Sequence, residues 1–67
     1  APPTVAELLP RVDAGHEVHW TACGEERRAR GVGATIVFDW RTGGTRWFAA
    51  YVTGHDLSQP GRLVEVA

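Results

Sequence analysis

Residues 38–48 read FDWRTGGTRWF, with Trp40 and Arg41 on one side of Gly43-Gly44 and Arg46 and Trp47 on the other. Guanidinium forks suit carboxylates and phosphates, and flat aromatic rings offer stacking surfaces beside them. Arg27, Arg28 and Arg30 lie just upstream. Residues 27–46 thus set five arginines against Asp39, a balance of +4. Residues 1–26 set Glu7, Asp13, Glu17, Glu25 and Glu26 against Arg11, a balance of −4, and the rest adds Asp56, Glu65 and Arg62 for −1. The whole chain is at −1, which argues against a general nucleic-acid binder. A basic segment in an acidic protein is the feature to explain.

A hairpin centred on this stretch has two expected registers. A Gly43-Gly44 turn supplies the positive φ of a type I′ turn and sets Trp40 opposite Trp47 and Arg41 opposite Arg46. Like charges facing across strands are destabilising unless an anion sits between them. A Thr42-Gly43 turn instead sets Asp39 opposite Arg46 and Phe38 opposite Trp47. Both registers put Ile36, Phe38, Trp40, Trp47 and Tyr51 on one face and Val37, Asp39, Arg41, Arg46, Phe48 and Val52 on the other. A three-residue turn would swap the faces of the second arm. A bulge at Gly31 or Gly33 would add Arg28 and Arg30 to the second face. The expected binding surface is therefore Arg28, Arg30, Trp40, Arg41, Arg46 and Phe48. Its competing explanations are solvated arginines and a face closed by the terminal strand or a dimer partner.

The other chemistry-bearing residues assemble less well. His16 and His19 fall on opposite faces of a strand, and with Cys23 they match no compact zinc spacing. His55, Asp56 and Ser58 crowd one short stretch, whereas a triad converges from separate elements. Asp56 or Ser58 is expected to cap a turn instead. Gly31-Val32-Gly33 does not precede a helix, so it is no phosphate cradle. The expectation is no enzyme, no cofactor and no metal.

The elements that must position these groups follow from periodicity. Thr4 to Glu7 has the form of a capping box. Val5, Leu8, Leu9 and Val12 make one apolar helical stripe, closed by Gly15. Pro10 demands a kink or a short, tight helix within 5–14. Residues 17–23 alternate as a strand, with a turn at Gly24-Glu25. Residues 27–40 read as one long strand bent at its glycines, 45–53 as the strand pairing back on it, 54–61 as a loop and 62–66 as a last strand. The expected core is Val5, Leu8, Leu9, Val12, Val18, Trp20, Ile36, Phe38, Trp47 and Tyr51.

These elements give an α+β fold: a short N-terminal helix on a three- to four-stranded antiparallel meander, with a small open barrel as its curled form. The chain of 67 residues, 43% hydrophobic and 22% charged, is one small domain, 1–67, with residues 1–3 as a tail. At this length only about 60% of the unfolded surface is buried, so the core is thin. No apolar run nears the roughly 18 residues of a membrane helix. One cysteine excludes an internal disulfide and tilts the expected compartment to the cytoplasm. A start at Ala1 without any Met fits a processed chain or one cut from a longer protein. The expected function is a non-catalytic module binding a protein partner or a second copy as a homodimer, with nucleic acid as the alternative and no membrane.

Overall fold

The computed structural model describes residues 1–42, 46–49 and 51–66, with the backbone alone at 41, 42, 46 and 47. Helix α1, Val5–Leu8, begins at Thr4, whose hydroxyl accepts the Glu7 N–H at 3.3 Å. Pro10 cannot continue an α-helix, so the chain tightens into a 3₁₀ turn over Leu9–Arg11. The helix is thus shorter than its apolar stripe. Gly15 does not cap it; its N–H is held by Asp13 Oδ1 at 2.8 Å in a local turn.

Five strands follow: β1 His16–Ala22, β2 Glu25–Val32, β3 Thr35–Thr42, β4 Arg46–Ala49 and β5 Gly61–Glu65. They form one antiparallel sheet in the order β4-β3-β2-β1-β5, open at both ends and not closed into a barrel. The long strand expected over 27–40 is in fact a hairpin. Val32 pairs with Thr35 across Gly33-Ala34, and Gly33 at φ +62° takes the first position of a type II′ turn. The preceding hairpin turns at Cys23-Gly24 rather than Gly24-Glu25, because Ala22 pairs with Glu25. Both turn residues have positive φ, 54° and 76°, as a type I′ turn needs. Gly31 serves another purpose: a Cβ there would meet the Asp13 backbone at 2.6 Å.

Residues 54–58, expected as loop, are helix α2, Gly54–Ser58. It starts with a complete capping box between Thr53 and Asp56. Both helices pack on the same face of the sheet. The buried core there is Val5, Leu8, Val18, Trp20, Ala22 and Ala29, with Leu9, Val12, Phe38, Val52, Leu57 and Leu63 packed against it. Ile36 and Tyr51, expected in this core, are 36% and 94% exposed. They belong to the far edge of the sheet, which the short helices do not reach.

Candidate functional site

Two-residue periodicity sorts the strands into a helix face and an open face. Register carries Val18, Ala29 and Phe38 across the helix face, followed by Trp20, Arg27 and Trp40. Arg27 is the anomaly in this apolar row. Its guanidinium lies 4.7 Å from the centre of the Trp40 ring and donates to Asp56 Oδ1 at 2.6 Å. Trp20 Nε1 donates to the same oxygen at 2.9 Å, while the Thr53 N–H and hydroxyl donate to Oδ2. Burial alone would raise the Asp56 carboxyl. The bonds from Thr53 and Trp20, with the charge of Arg27, outweigh that and lower it from 3.8 to about 2. Asp56, expected to cap a turn, is instead the N3 partner of Thr53 in the capping box of α2, and it also fixes that helix over Trp20.

The open face carries a layer of paired charges. His19 Nε2 lies 2.8 Å from Glu17, and its Nδ1 lies 3.7 Å from Glu26. Arg28 stands 3.9 Å from Glu17, and Arg30 3.4 Å from Asp39. Glu17 and Asp39 are both buried in this layer. His16 keeps to its own turn, 2.9 Å from Asp13; that contact, with the Gly15 N–H, holds the Asp13 carboxyl below its ordinary value. No set of three His, Cys, Asp or Glu side chains among the described residues could hold a metal ion.

The expected Arg and aromatic surface does not assemble as one face. β3 and β4 pair Trp40 with Phe48, Arg41 with Trp47 and Thr42 with Arg46. Three residues, 43–45, separate the paired ends, so neither two-residue register holds, and the Gly43-Gly44 and Thr42-Gly43 turns fall outside the described residues. The odd count swaps faces. Phe48 stands with Trp40 on the helix side, while Arg28 and Arg30 occupy the open face. Trp40 is engaged by Arg27. Arg41 and Arg46 no longer oppose each other in the register, and their side chains lie outside the described residues. The like-charge pairing that the mirror sequence suggested is removed by one residue of slip.

A different feature emerges at the edge. β4 ends at Ala49, opposite Asp39, rather than continuing to Thr53. Thr53 is needed to cap α2, and Asp56 anchors α2 over Trp20, so the chain leaves β3 for the helix layer. Among the described residues, no strand pairs with the outer side of Thr35–Phe38. Beside that stretch runs an apolar groove of about 420 Å³, lined by Ile36, Val37, Phe38, Ala49 and Tyr51.

No family model, no curated protein and no solved structure matches the chain.

The opposite edge is covered at the start of β5. Thr4 bridges Pro60, Gly61 donates to the Pro3 carbonyl at 2.9 Å, and Val5 donates to the Gln59 carbonyl at 2.9 Å. Among the described residues, the exposed large hydrophobics are Val32 at the β2–β3 turn and Ile36, Phe48 and Tyr51 on or beside β3 and β4. Of the expected site residues, Trp40, Arg41, Arg46 and Phe48 lie on β3 and β4, and none of them is among the described residues lining the groove. The sequence signal for the edge is the uncharged, β-branched run Thr35-Ile36-Val37 before Phe38; with 45–53 as the expected pairing strand, Ile36 and Phe38 belong to the expected core and Val37 to the second face. Among the described residues no helix is long and apolar enough to cross a membrane.

Proposed function

We propose that this chain is a small non-catalytic interaction module that takes an extended segment of another polypeptide chain along the outer edge of β3. The observation that carries this reading is the stretch Thr35–Val37 of β3, which no described residue pairs on its outer side, beside its apolar groove. Strand addition at such an edge draws affinity from backbone hydrogen bonds and specificity from the flanking side-chain pockets. Phe38 and Tyr51, which line the groove, are the aromatic anchors, types enriched at interface hot spots. A single exposed cysteine fits a reducing compartment such as the cytoplasm. The non-catalytic part of the reading rests on Asp56, the most buried acid, having both oxygens occupied by structural donors.

The nucleic-acid alternative is weakened by the same ion pairs that organise the sheet. Arg27, Arg28 and Arg30 each stand by a carboxylate, so much of the +4 segment is compensated within the fold. The test is an amide chemical-shift titration with a panel of extended apolar peptides and, separately, with short single- and double-stranded oligonucleotides. The expected result is peptide-induced shifts centred on Ile36, Val37 and Phe38 that persist at 0.5 M salt, a ~0.5 M condition at which phosphate contacts are screened. Oligonucleotide binding that fades steeply with salt and maps to Arg28, Arg30, Arg41 and Arg46 would overturn the reading.

A further inference from the structure

We draw no further inference here: the strongest candidate, the niche of about 250 Å³ beside the start of β5, lined by His19, Thr21 and Arg62, carries none, because Glu17 and Glu26 already hold the His19 ring and nothing among the described residues shows what ligand would sit against Arg62.

Discussion

Among the described residues, Asp56 concentrates more of the fold than any other side chain. It receives Trp20 from β1, Arg27 from β2 and Thr53 from the start of α2. Removing one partner of a buried pair leaves the other charge uncompensated, at a cost of about 3–5 kcal/mol. A 67-residue domain has only about 3–10 kcal/mol in total, so Asp56→Ala is expected to unfold most of the protein at 25 °C, as read by urea titration. Because folding lowers this carboxyl from 3.8 to about 2, its contribution is complete above about pH 4 and is lost as the pH falls through 2. Stability measured from pH 6 to 2 should decline steeply at the acid end, and Asp56→Asn should flatten that decline. Cys23 is the opposite case, a residue working against its backbone. At φ 54° it holds a left-handed conformation that costs most side chains roughly 1–2 kcal/mol and Asn less. Cys23→Asn, forming Asn-Gly in a type I′ turn, should raise stability by about 0.5–1 kcal/mol in the same urea assay.

Among the elements, close approaches and caps decide what the periodicity left open. Gly31 lets the Asp13 backbone lie against β2, and the 2.6 Å meeting of a Cβ with that backbone has no flexible side chain to yield. Gly31→Ala should cost about 1–3 kcal/mol through this overpacking, measured as a lowered urea midpoint. The helix stripe, the tightening at Pro10, strand β1 and the antiparallel α+β class were legible because each depends on local pattern. The β2–β3 division was not: a two-residue Gly-Ala turn within RRARGVGATIVFDW looks like a bend in one strand. Helix α2 was hidden because its five residues carry no apolar stripe; its signal is Thr53-x-x-Asp56, of which only Asp56 enters the sequence reading, as one of two candidate turn caps. The β3–β4 register could not be read from FDWRTGGTRWF, since mirror symmetry makes neighbouring registers locally alike. That slip is what separated Phe48 from Arg28 and Arg30. The candidate site was therefore mostly illegible: its free edge follows from β4 being short, and β4 is short because Asp56 draws the chain to the helix layer.

At the scale of the molecule, two short helices cover one face of a five-stranded sheet and leave its two edges unlike. The β5 edge is bonded at its start to residues 3–5, whereas β3 carries an apolar groove along Ile36–Phe38. Arg27, Arg28 and Arg30 are answered by Asp56, Glu17 and Asp39. The central claim is that the β3 edge is a docking edge, and amide hydrogen exchange tests it residue by residue. In dilute protein, the Thr35 and Val37 amides should be protected through β2, while that of Ile36 exchanges at a rate close to the unstructured chain. On adding an extended peptide that binds, Ile36 should slow by roughly tenfold or more, as newly made ladder bonds do. An Ile36 amide already protected in the free protein, or unprotected in every complex formed, would contradict the account.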